Sequence, residues 1–248
     1  MPHPYFEAPR PHLLAHRGLS MHSESIDENS VSAFEQALEH GCTHIESDVH
    51  ATKDLVPVLF HDDDLRRVAG IDRKISELTL SELGEIRLAN GSSVPTLEEV
   101  LTRFPELKLN LDIKSATAVA PTVAVIERLS AHDRVLVSSF SSSRRLRALS
   151  LLSSPPATSA SMRQVLLLWL SNKFFGIGFK ALCSPLDAVQ IPPRQGFINL
   201  SSPRFISRLR AHGLEVHYWT INDNEFAVEL VARGASGIVT DRVDLIRF

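Results

Sequence analysis

The feature that most constrains this chain is an alternation. Short apolar runs with strand character recur at 12–16, 44–49, 108–113, 135–140, 157–161, 188–191, 215–220 and 237–240. Several are apolar throughout, as parallel strands buried on both faces must be. Between them lie helical patterns. Residues 30–40 place Phe34, Ala37 and Leu38 on one face and stop at Gly41. Residues 96–104 open after Pro95 with Thr96 and Glu99 at capping-box spacing. Residues 203–212 and 224–233 each run into a glycine, Gly213 and Gly234. Eight strand–helix units in 248 residues predict an α/β chain folded as one (β/α)8 barrel domain spanning 1–248. A doubly wound sheet is the alternative.

One segment breaks the alternation. The run 56–60 follows Val49 too closely for a crossover helix, so it reads as a hairpin return. A two-residue turn at Lys53-Asp54 would make paired positions sum to 107 and set Glu46 opposite His61. The polar stretch 62–93 then becomes a small insertion on the barrel mouth after the second strand.

Barrel chemistry sits at the C-terminal ends of the strands. The first strand ends in His16-Arg17-Gly18, the second carries Glu46 and Asp48, and its return ends in His61. The third carries Asp112 and ends at Lys114. Glu46 and Asp48, two apart, share a strand face. With Asp112 they form an all-oxygen set suited to a hard cation, Mg²⁺ or Ca²⁺, rather than zinc. Arg17 and Lys114 beside them suit an anionic substrate, phosphate first. His16 and His61 are of the residue type whose ordinary pKa lies nearest neutrality, which suits an acid–base pair. His44, His50 and His217 alternate along strands and read as facing helices or as other packing, with no role in the chemistry.

The ordered set HRG (16–18), EN (28–29), ESD (46–48), HD (61–62), PTLEEVL (95–101), LDIK (111–114), SSF (138–140), WT (219–220) and TDR (240–242) resembles the glycerophosphodiester phosphodiesterase family. The resemblance implies a barrel with an insertion after its second strand. It implies one divalent cation on Glu46, Asp48 and Asp112, acid–base work by His16 and His61, and phosphate binding by Arg17 and Lys114. Trp219 and Phe140 would wall the substrate pocket. The implied reaction releases glycerol 3-phosphate and an alcohol through a cyclic phosphate. Lysophospholipase D-type cleavage of a lipid diester, or a catalytically weak phosphoester-binding barrel, are the alternatives. The chain departs from the family at Asp112, where Glu is usual, and at Asp27 and Val243, where Pro is usual.

The rest of the sequence limits partners. Lys and Arg number 26 against 29 acids, a net of -3, which disfavours nucleic acid. The start MPHPYFEAPRPH has no apolar h-region, and the longest apolar run, 165–170, is too short to span a bilayer, so a cytoplasmic protein is expected. The greasy stretch from Val165 to Phe179 has two readings: a buried helix, the commoner fate of such runs, or a hydrophobic lip that contacts a membrane.

Overall fold

The computed structural model describes residues 3–21 and 26–248. Strand β1 (His12–His16) leads through α1 (Val31–Glu39) to β2 (His44–Ala51) and its antiparallel return β3 (Pro57–Leu59). Short helices α2 (Arg66–Ala69) and α3 (Leu80–Gly84) precede α4 (Leu97–Arg103). Three units follow: β4 (Lys108–Ile113) with α5 (Val119–Arg128), β5 (Val135–Ser138) with α6 (Ser142–Leu151), and β6 (Ala157–Thr158) with α7 (Met162–Lys173) and α8 (Phe179–Cys183). Strand β7 (Ala188–Ile191) is followed by a small hairpin, β8 (Arg194–Gln195) and β9 (Ile198–Asn199), and by α9 (Pro203–Ala211). Then come β10 (Glu215–Tyr218), α10 (Asn224–Ala232) and β11 (Gly237–Thr240).

Eight strands lie parallel in the order β6-β5-β4-β2-β1-β11-β10-β7. A parallel bridge between Ser159 and Ala188 joins the two ends, so the sheet is a (β/α)8 barrel. Three strands stop sooner than their apolar runs, at Ser138, Thr158 and Tyr218. Beyond those points the backbone turns into the mouth loops; Ser161 already serves as the N-cap of α7.

Strand alternation divides the side chains. One set, including Leu13, Ala15, Ile45, Val49, Leu109 and Leu111, packs outward under the helices in the main core. The other set fills the lumen. His44 and His217 belong to this second set and do not face helices. They pack with His12 against Tyr5 and Phe6, which enter the closed end from the turn Pro4–Phe6. An aromatic pair at the N-terminus plugs the barrel, a placement that no local pattern announces.

The β2–β3 hairpin forms with a different register. The pairs Val49–Leu59, His50–Val58 and Ala51–Pro57 sum to 108. The loop has three residues because Leu55 takes a left-handed conformation at φ +62, and Thr52 N–H closes it on the Val56 carbonyl at 3.0 Å. His61 therefore is not the cross-strand partner of Glu46. It lies two residues beyond the end of β3 and comes to the mouth on the following loop.

The segment 62–93 builds a small core of its own, with Leu65, Ile75, Leu78, Leu83 and Leu88 packed on Val58 and Phe60. Asp27 fastens it to the barrel: its carboxylate accepts from the backbone N–H groups of Asn90 and Ser92, both at 3.1 Å. A proline at this position would have no carboxylate with which to make the contact.

Candidate active site

A cavity of about 310 Å³ opens at the C-terminal ends of the strands. Its lining includes all nine side chains singled out from sequence: His16, Arg17, Glu46, Asp48, His61, Asp112, Lys114, Phe140 and Trp219. Parallel pairing explains the carboxylates. His16 pairs with Glu46 across β1 and β2, and Asp48 with Asp112 across β2 and β4. Three carboxylates from two adjacent strands therefore meet on the lumen face.

Gly18 makes the first mouth loop possible. Its φ is +83, and a Cβ there would stand 2.7 Å from Ala33 at the start of α1. Arg17, itself at φ +56, turns back over the cavity. Its Nη1 donates to Glu28 at 3.1 Å, and its Nε lies 3.4 Å from Asp48 Oδ2 without hydrogen-bond alignment.

Each cavity histidine is held by an aspartate. His16 Nδ1 lies 2.6 Å from Asp241 Oδ1, and His61 Nδ1 lies 2.6 Å from Asp62 Oδ1. Such a bond fixes the tautomer with the proton on Nδ1 and leaves Nε2 as the working nitrogen. Burial acts to lower the His16 pKa, but the Asp241 hydrogen bond and the nearby charge of Glu46 outweigh it, and the net shift is upward. Asp241 is anchored in turn by Asn222 Nδ2 at 2.8 Å.

The carboxylate set carries uncompensated charge. Lys114 Nζ lies 2.7 Å from Asp48 and 2.8 Å from Asp112; it does not pair with Glu46. Burial first, then the charge of Asp48, pushes Glu46 up to about 8. One oxygen of each, Glu46 Oε2, Asp48 Oδ2 and Asp112 Oδ1, is buried without a hydrogen-bond donor. Buried acceptors of this kind are costly unless another group meets them. Three hard, anionic oxygens from neighbouring side chains suit a divalent cation. The residues present therefore fit such an ion. Among the described residues a His/Glu/His group, His12, Glu215 and His217, also brings possible ligand atoms within 4.8 Å of one another. It lies at the plugged end, and Arg10 and Arg210 both pair with Glu215.

Sequence reasoning gives no role to Glu28, Arg67 or Asp241, and reads Asp62 first as part of a solvated face, with support of the site from behind as the other reading; the structure ties all four to the cavity. Arg67, from α2 of the insertion, donates to Asp62 at 2.6 Å and to Glu28 at 2.6 and 3.1 Å. It thus links the partner of His61 to the partner of Arg17. Glu28 and Asp241 stand in the EN and TDR motifs, and Asp62 follows His61 directly, so those positions were visible. The reach of Arg67 to both was not.

The other half of the cavity is apolar. Met162 and Val165 of α7, Ile191, Pro192 and Leu200 line it, with Phe140 and Trp219 edge-to-face at 6.1 Å between ring centres.

Residues 16–245 match the sequence model of the glycerophosphoryl diester phosphodiesterase family. A relative from Mycobacterium tuberculosis, a probable glycerophosphodiester phosphodiesterase 2, is 40% identical over 236 residues, 94% of this chain and 88% of its own. Human lysophospholipase D GDPD1 is 25% identical, covering 92% of this chain and 82% of its own. The solved structure of an Oleispira antarctica phosphodiesterase in complex with the product sn-glycerol-3-phosphate superposes with a TM-score of 0.73 at 26% identity, covering 94% of this chain and 93% of the other.

Proposed function

The chain belongs to the glycerophosphoryl diester phosphodiesterase family and is a phosphodiesterase of that class; from this premise we propose that it hydrolyses glycerophosphodiesters to glycerol 3-phosphate and an alcohol, with His16 and His61 as the acid–base pair and one divalent cation, Mg²⁺ or Ca²⁺. The observation that carries the reading is the pairing of two histidine–aspartate dyads with three donor-less carboxylate oxygens in one cavity. This reading treats residues 1–248 as a single barrel domain with 62–93 as its insertion.

Glu46, Asp48 and Asp112 would hold the cation. When bound, it would offset charge on the phosphoryl oxygens and ease ionisation of the attacking hydroxyl. Arg17 and Lys114 add fixed positive charge where the phosphate must lie, as anion recognition requires. One histidine Nε2 takes the proton of the substrate's glycerol hydroxyl as that oxygen attacks phosphorus. The other protonates the departing alkoxide, and a cyclic phosphate remains. The two exchange roles when water opens the ring. Each such proton transfer is worth about 10²–10⁴-fold. Asp241 and Asp62 keep both imidazoles in the tautomer this exchange needs.

The apolar half of the cavity supports a second reading for the glyceryl side of the diester, with the same head-group alcohol leaving. A lysophospholipid, whose acyl chain hangs from the glycerol that stays on the phosphate, would lay that chain along Met162, Val165 and Leu200. Turnover of glycerophosphocholine against lysophosphatidylcholine by the purified protein decides between them. Release of glycerol 3-phosphate from the first substrate is the expected result; no turnover of either would remove both readings.

A further inference from the structure

The apolar stretch from Val165 to Phe179 divides between the two readings of its sequence. Its inner side is core: Leu168 and Phe179 are buried, and Ser171 and Asn172 are nearly so. Its outer side is not. Leu166, Leu167 and Leu170 are exposed along α7, and the turn beyond it bares Phe174 (64%), Phe175 (86%) and Ile177 (78%). The outer face of the helix is apolar as well, and it has no partner among the described residues. The described residues expose sixteen large apolar side chains, and eleven of them fall within 140–197.

The same sector is basic. Residues 140–197 contain seven Lys and Arg and a single acid, Asp187, in a chain whose net charge is -3. Asp187 is half-buried and spends its carboxylate on the backbone N–H of Thr158. Arg163, Lys173, Lys180 and Arg194 are exposed around the apolar strip, and Lys173 Nζ rests 5.3 Å from the centre of the Trp169 ring. Aromatic and aliphatic side chains rimmed by cations, with no acids among them, are complementary to an anionic lipid surface.

The strip also reaches the cavity. Met162 and Val165, in the first turn of α7, line it, and so does Gln195, on the hairpin whose tip presents the fully exposed Phe197. Only this end of the strip lies at the mouth. Phe174 and Phe175 stand a helix length away, about 18 Å for twelve residues.

We propose that the outer face of α7, continued through residues 174–177 and joined at the rim by Phe197, docks the enzyme on an anionic lipid surface with the barrel lying on its flank and the cavity mouth at the edge of the contact. The inference uses the surface alone and does not depend on the chemistry of the cavity.

The test is co-sedimentation with phosphatidylglycerol–phosphatidylcholine vesicles and with vesicles of phosphatidylcholine alone. Wild type pellets with the first and far less with the second, and added salt weakens binding. The double variants F174S/F175S and K173E/K180E each lower partitioning by about tenfold or more. Both keep wild-type turnover of glycerophosphocholine, since neither touches the cavity, and that control separates lost docking from lost fold. The charge pair tests the same surface without changing its apolar area. Wild type that ignores anionic vesicles, or binding that both variants retain, overturns the proposal. So does a dimer in sedimentation velocity that F174S/F175S dissociates, because a second copy of the chain would then cover the face.

Discussion

Asp241, one residue past β11, places a carboxylate oxygen 2.6 Å from Nδ1 of His16, which ends the adjacent strand β1. The contact spans 225 positions of sequence and gives His16 both its tautomer and its raised pKa. Asp241→Asn keeps the size of the side chain and removes the charge. The His16 pKa then falls, because the contributions that outweigh burial are weakened. NMR titration of the imidazole shows the drop, and kcat for glycerophosphocholine declines by about 10²-fold or more. An unchanged titration curve would mean that Asp241 does not tune His16.

Glu46 links stability to pH in the cation-free protein. Its folded pKa of about 8 lies above its ordinary 4.5. A carboxylate raised in this way contributes stability that is fully present below about 4.5 and is lost as pH rises towards about 8. The chelated protein should therefore lose Tm over that window. Mg²⁺ or Ca²⁺ should restore stability, and Tm with it, most at the alkaline end; a cation at a hundred times its dissociation constant adds about 2.7 kcal/mol. Chelation should also abolish turnover, and either cation should return it. Melting curves indifferent to both cations would count against the carboxylate set as a cation site.

Arg67 acts through its partners. Arg67→Ala frees Asp62 and Glu28 together, so His61 and Arg17 both lose orientation. Turnover should fall about 10–100-fold, the scale seen when the partners of a functional side chain are removed. Arg67→Lys should recover little, since one ammonium cannot span two carboxylates as the guanidinium does. Wild-type rates in the alanine variant would reduce the pair of contacts to surface decoration.

Gly18→Ala is expected to destabilise by at least about 1–3 kcal/mol, because it combines a positive φ with a Cβ 2.7 Å from Ala33. Denaturant unfolding measures the loss. Relief requires a shift of the loop that carries Arg17 directly after His16, or of the start of α1 against which it packs, so kcat should drop with it.

The hairpin shows where reading by sequence stopped. The existence of β3 was legible, since an apolar run so soon after β2 had no room for a helix. Its register was not. The extra loop residue depends on Leu55 adopting φ +62, a conformation that leucine seldom takes and that composition does not signal. One residue of slip reverses the face of every side chain on a strand. His61 still reaches the cavity because the strand ends at Leu59 and the loop re-aims it.

Sequence alone determined the barrel and the nine cavity residues, because both follow from local order. Strand ends in a parallel barrel converge on one mouth, so residues at those ends meet whatever their separation along the chain. Tertiary structure decided the partners. The dyads of His16 and His61, the bridge through Arg67, the plug of Tyr5 and Phe6 and the bare outer face of α7 all depend on how distant loops and helices pack. Their side chains carry no periodic signal, and only burial and distance in the folded molecule distinguish a held aspartate from a solvated one.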